Sequence, residues 1–127
     1  MRAPITLATL FAATLAHAAT AEGTGAAPEA VAEVVTFRLV DGTDPAAFVA
    51  AAEAMGPFLR GTGALIHRTL SVDEDGLWTD HILWASKDTA IAASNAMFER
   101  PEARPFMAMI AQDGLVMRYA SVQMQQE

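Results

Sequence analysis

The side chains able to do chemistry are few, and most fall between residues 67 and 119. Arg68 and Asp80 stand on either side of the acidic run Asp73-Glu74-Asp75-Gly76. A hairpin turning there sets them diagonally across two strands, on one face. Such a pair either ties the strands as a partly buried ion pair or lends its guanidinium to an anionic or phenolic molecule. Trp84 lies at the far end of the second of those strands, where an indole is either core or an aromatic wall for a planar ligand. The helix expected next carries Ser94, Asn95 and Met97. The first two point either at the same region or at solvent, and the thioether suits an irregular apolar wall. Tyr119, the only tyrosine, offers a hydroxyl for hydrogen bonding or proton relay. Trp84, Asp80, Asn95 and Met97 are the candidate ligand-binding residues, and a small apolar or aromatic molecule is the partner they suit.

Much chemistry is excluded. The chain has no cysteine, so it carries no disulfide, thiol nucleophile, Cys-ligated zinc, iron–sulfur cluster or cysteine lipid anchor. His67 and His81 share a face but have no carboxylate beside them, and two imidazoles per chain make a poor metal site. No metal is expected. The acidic run lacks the spacing of a calcium loop, and neither a phosphate loop, a nucleophile elbow nor a zinc helix motif occurs. Eight Lys+Arg against fifteen Asp+Glu give a net charge of −7, which argues against nucleic acid and an anionic membrane surface.

The elements that must position these residues follow from patterning. A chain of 127 residues, 53% hydrophobic and 18% charged, suits one ordinary domain. Residues 1–18 read as an export signal: Arg2, an apolar run over 5–16, then Ala16-His17-Ala18, with Ala19-Thr20-Ala21 as a second cleavage pattern. The run is well short of the ~20 residues that span a bilayer. The expected address is therefore periplasmic or secreted, without stable membrane association after cleavage after Ala18 or Ala21. Residues 19–30 read as a flexible leader and 123–127 as a tail.

Between them, residues 31–40 alternate as a strand, and Asp44-Pro45 starts a helix that Gly56-Pro57 kinks and Gly61 and Gly63 end. Residues 64–72 and 77–85 form the hairpin, in a register that sets Val72 against Trp78, Leu70 against Asp80, Arg68 against Ile82 and Ile66 against Trp84. Ser86 caps a second helix, which residues 99–105 interrupt with two prolines; a short helical stretch over 106–110 and a strand over 115–122 follow. The order is β-α-β-β-α-β, an α+β fold whose antiparallel sheet carries the helices on one face. The other face mixes His67, Thr69, Thr79 and His81 with Leu83, and two copies packed there would close a barrel as a homodimer.

Several of these segments resemble a known group. The junction Ile82-Leu83-Trp84-Ala85-Ser86-Lys87 is similar to the strand–Trp-x-Ser–helix junction of the dimeric α+β barrel superfamily, in particular its antibiotic biosynthesis monooxygenase-like proteins. Asp44-Pro45 after the first strand, Asp75-Gly76 with Trp78, and Pro105-Phe106-Met107 look similar too, so the resemblance runs over residues 31–122. It implies a ferredoxin-like fold, a barrel-forming homodimer and a cavity between sheet and helices. Its members include cofactor-free oxygenases of polycyclic aromatics and haem-degrading enzymes, and Trp84 matches a functional tryptophan of the catalytic ones. A cofactor-independent monooxygenase of an aromatic or quinol-type substrate would draw on Trp84, Arg68 and Tyr119 for catalysis. A non-catalytic binder or a structural dimer needs no turnover. The haem-degrading branch has an iron-ligating histidine about ten residues after that tryptophan, where this chain has Ser94-Asn95, which offers no axial imidazole. Its first-strand asparagine has no match either, Thr36 being the neutral polar side chain there. No cofactor is expected.

Overall fold

The computed structural model describes residues 29–127. The expected export signal and most of the expected leader lie outside the described residues. Four strands, β1 (Val31–Phe37), β2 (Leu65–Val72), β3 (Trp78–Trp84) and β4 (Val116–Ser121), form one antiparallel sheet in the order β2-β3-β1-β4. Between β1 and β2 run helices α1 (Pro45–Ala54) and α2 (Gly56–Gly61), and between β3 and β4 run α3 (Lys87–Met97) and α4 (Ala103–Ala108). This is the ferredoxin-like βαββαβ arrangement, with β1 and β3 central.

Local chemistry sets the boundaries. Asp44 Oδ1 accepts from the Ala46 N–H at 3.1 Å and caps α1, with Pro45 at its first position. Met55 separates α1 from α2, because Pro57 has no N–H to continue the first helix. Ser86 Oγ accepts from the Thr89 N–H at 3.3 Å at the start of α3. At the hairpin tip Asp73 Oδ1 accepts the N–H groups of Asp75 and Leu77, both at 2.9 Å, and Gly76 takes the left-handed φ of 84° that the turn requires.

The core lies between the sheet and the helices, where Trp84, Phe37, Phe48 and Met55 are fully buried. Phe48 of α1 stacks on Phe106 of α4 at 5.2 Å and meets Phe37 and Trp78 edge-on at 5.6 and 5.0 Å, locking both helical layers to β1 and β3. On the opposite face, Leu83 is buried between Ala32 and His67 in the register, while His67, Thr69 and His81 are exposed.

Three details differ from the sequence expectation. The pairings Val72–Trp78, Leu70–Asp80 and Arg68–Ile82 occur, but Leu65, not Ile66, stands opposite Trp84. A bulge between Leu65 and His67 inserts one residue and reverses the alternation, so Leu65 packs on the core and Ile66 is 51% exposed. β1 ends at Phe37 rather than at residue 40, because the chain beyond it leaves β3 and pairs with the segment after α4. There Val40 N–H donates to Met109 O at 2.9 Å and Ala111 N–H to Arg38 O at 2.8 Å. Only residues 98–102 interrupt α3 and α4; Pro105 falls in the first turn of α4, where an N–H would have no helical partner.

Candidate functional site

Sheet and helices do not close completely. They leave a cavity of about 220 Å³ whose floor includes Glu33, Arg68, Asp80 and Trp84, and whose roof includes Met55, Ala93, Met97 and Phe106. The cavity extends to Phe98, 64% exposed, and Met117, 41% exposed, at the surface. Its walls are mainly apolar; Glu33, Arg68, Asp80 and Ser94 gather at one end, and Gln112 is a further polar residue of the wall.

One buried pair and one part-buried pair make that end. Glu33 and Asp80 sit at inward-facing positions of neighbouring strands, since Glu33 is paired with Ile82 and Val35 with Asp80. Trp84 Nε1–H donates to Glu33 Oε1 at 2.8 Å, a buried bond between residues 51 positions apart. Arg68 donates from Nε to Asp80 Oδ1 at 3.0 Å and from one terminal nitrogen to Asp80 Oδ2 at 2.7 Å. Its other terminal nitrogen donates to the Ala52 carbonyl at 2.9 Å, tying β2 to α1, and its guanidinium lies 5.7 Å from the Phe106 ring centre. Arg68 is thus a strut between layers, its positive charge matched by Asp80.

Among the described residues, no cation pairs with Glu33 in this way. Ser94 Oγ lies 3.5 Å from Glu33 Oε2 and 3.5 Å from the Tyr119 hydroxyl. Burial raises the Glu33 carboxyl above its ordinary value. The Trp84 hydrogen bond works against that rise, the nearby Asp80 charge adds to it, and Ser94 and Arg68 oppose it less strongly.

Trp84, Arg68, Asp80 and Met97 from the sequence analysis line this one cavity. Tyr119 does not line it but reaches its polar end through Ser94, with Lys87 Nζ 5.9 Å above its ring. Asn95 is a correction: it is exposed and absent from the cavity wall. On α3 the inward stripe runs through Ala90, Ala93, Ser94 and Met97, and Asn95 follows Ser94 by ~100° of helical rotation. Sequence reading missed Glu33. Its signal was parity, because Glu33 falls in the same alternating set as Val31, Val35 and Phe37. His67 and His81 lie on the far face, His67 Nε2 within 3.0 Å of Thr69 Oγ1. Among the described residues, no three His, Cys, Asp or Glu side chains gather as a metal site.

No protein-family profile matches the sequence, and no curated protein is similar to it in sequence. Solved structures are similar in fold. SnoaB, a cofactor-independent oxygenase from Streptomyces nogalater, superposes with a TM-score of 0.60 at 16% identity, over 76% of this chain and 96% of its own. A candidate antibiotic biosynthesis monooxygenase from Bordetella bronchiseptica gives 0.63 at 14% identity, over 76% of this chain and 99% of its own. A dimeric ferredoxin-like protein of unknown function from Thermobifida fusca gives 0.59 at 13%, over 75% and 92%. With its sheet order, its helices on one face and these neighbours, the chain has the ferredoxin-like fold of the antibiotic biosynthesis monooxygenase-like proteins.

Proposed function

We propose that this chain is an exported homodimeric protein that binds a small aromatic molecule between its sheet and its helices. The observation that carries the reading is the cavity of about 220 Å³, apolar along its walls and polar at one end. Cavities of ~150 Å³ accept one benzene ring, and drug-sized pockets start near ~300 Å³, so this one suits one substituted ring or two fused rings. Its reach to Phe98 and Met117 at the surface gives a ligand a way in, which a purely structural dimer would not need. Among the described residues no helix covers the sheet face bearing Thr69, His81 and Leu83, and a second copy laid on it would build the barrel.

Native mass spectrometry of the protein purified from an exporting host tests these points together. The expected result is a dimer starting at residue 19 or 22, carrying a releasable small molecule or taking up added naphthalene. A bare monomer that takes up nothing would overturn the reading.

A second reading is favoured by the fold shared with SnoaB and by Trp84 in the cavity wall. In a cofactor-independent oxygenation the substrate loses a proton, its carbanion reduces O₂, one oxygen enters the ring carbon as a carbonyl and the other leaves as water. Oxygen uptake with a quinol-type substrate, abolished by Trp84→Ala, supports this reading. No uptake across an aromatic panel argues for binding alone.

A further inference from the structure

Among the described residues, Glu33 is the carboxyl of the cavity wall that no guanidinium or ammonium group pairs with. Arg68 turns three donors to Asp80 and Ala52, and the charges of that pair cancel. Glu33 lines the cavity; its Oε1 is taken by the Trp84 indole, whereas among the described residues its Oε2 has only the long 3.5 Å hydrogen bond from Ser94 Oγ. From the geometry we infer that Glu33 selects the ligand, its Oε2 accepting a hydrogen bond from a hydroxyl or N–H on a neutral aromatic and turning carboxylates away. The inference rests on the binding reading above and adds a chemical class to it.

The surroundings of Glu33 leave little else to set that preference. β3 presents Asp80, β2 presents Arg68, β4 presents Tyr119 and α3 presents Ser94, while Met55 and Phe106 face the cavity from the other helical segments. A bound anion would sit beside an ionised Glu33, with the positive charge of Arg68 already matched by Asp80. A neutral donor brings no second charge and completes the open acceptor site. Protonating Glu33 reverses the logic, since a neutral carboxyl can donate to an anion.

Three probes on one ring skeleton test this by calorimetry: naphthalene, 1-naphthol and 1-naphthoate, at pH 8 and pH 5. With the unsubstituted protein at pH 8, 1-naphthol is expected to bind about tenfold or more tighter than naphthalene, and 1-naphthoate weaker than both. Lowering the pH should shrink the naphthol advantage and improve naphthoate. Glu33→Gln keeps an acceptor for Trp84 but has no charge to gain or lose, so it should erase the pH dependence and admit naphthoate at pH 8. Should that variant not fold, the pH profile of the unsubstituted protein decides alone. Equal affinity for naphthol and naphthalene, or naphthoate binding tightest at pH 8, would overturn the role of Glu33 while leaving the cavity a binding site. If no probe binds, both the role and the binding reading fall.

Discussion

Arg68→Ala is the most informative single change to the framework. The Arg68 and Asp80 side chains are 15% and 6% exposed, and two hydrogen bonds join them at 3.0 and 2.7 Å. Removing the guanidinium leaves Asp80 buried without its cation, in a cavity that already holds Glu33, and leaves the Ala52 carbonyl without its donor. Breaking a buried pair in this way costs ~3–5 kcal/mol, a large share of the ~5–15 kcal/mol that holds an ordinary domain folded. With a urea slope of ~1–3 kcal/mol per molar, the midpoint should fall by about 2 M at an unchanged slope. The loss comes from stranding a charge, not from the net worth of the pair. Arg68→Met combined with Asp80→Leu should therefore recover most of it and unfold close to the original midpoint. Urea titrations of the three proteins provide the comparison. A single variant within about 1 kcal/mol of the parent, or a double variant as weak as the single, would refute the assignment of Arg68 as a buried strut.

Other outcomes follow from the same geometry. Glu33 has a raised carboxyl value, so its contribution to stability is present at acid pH and is lost as pH climbs from 4.5 through the folded value. Glu33→Gln should thus raise the melting temperature at pH 8 relative to the parent, with the gain disappearing near pH 4; a gain of equal size at both pH values would contradict this. Trp84→Phe removes the 2.8 Å donor to Glu33 Oε1 and should lift the Glu33 titration further, visible in the carboxyl carbon shift by NMR, at a cost of ~1–3 kcal/mol. On the sheet face away from the described helices, His81→Glu together with Thr69→Glu places like charges on directly opposed residues, and in a homodimer repeats them across the two-fold. Sedimentation should show monomers with an intact circular dichroism spectrum, and an unchanged dimer would locate the interface elsewhere.

Legibility in the sequence varied with how local the cause was. The hairpin was readable because Asp73 and Gly76 define its turn and the alternation around Trp78 and Ile82 then admits one register. The bulge was not, since Leu65 and Ile66 are both apolar and either can serve as the core residue opposite Trp84. The choice between Ser94 and Asn95 failed for a similar reason. The alanines of α3 at 90, 92, 93 and 96 cover about half of its circumference and Ile91 lies on the other half, so apolar residues flank Ser94 and Asn95 alike. Glu33 was hidden for another reason: its partner Trp84 is 51 residues away, and only the β1–β3 pairing brings them together. Arg68 and Asp80 were visible as a pair, but the use of the remaining Arg68 donor on Ala52 depends on where α1 lands over the sheet.

Central to all of this is occupation of the cavity by a small aromatic molecule. The two tryptophans provide an internal comparison: Trp84 lines the cavity, and Trp78 is buried outside its wall. A ¹⁵N–¹H spectrum of the tryptophan-labelled protein, recorded with and without naphthalene at its aqueous limit, reads both indole N–H groups at once. The expected result is a saturable shift of the Trp84 resonance, lost in Met97→Trp, where the larger side chain fills the space, with Trp78 nearly still. Two unmoved resonances, or equal shifts that never saturate, would contradict a binding site between sheet and helices.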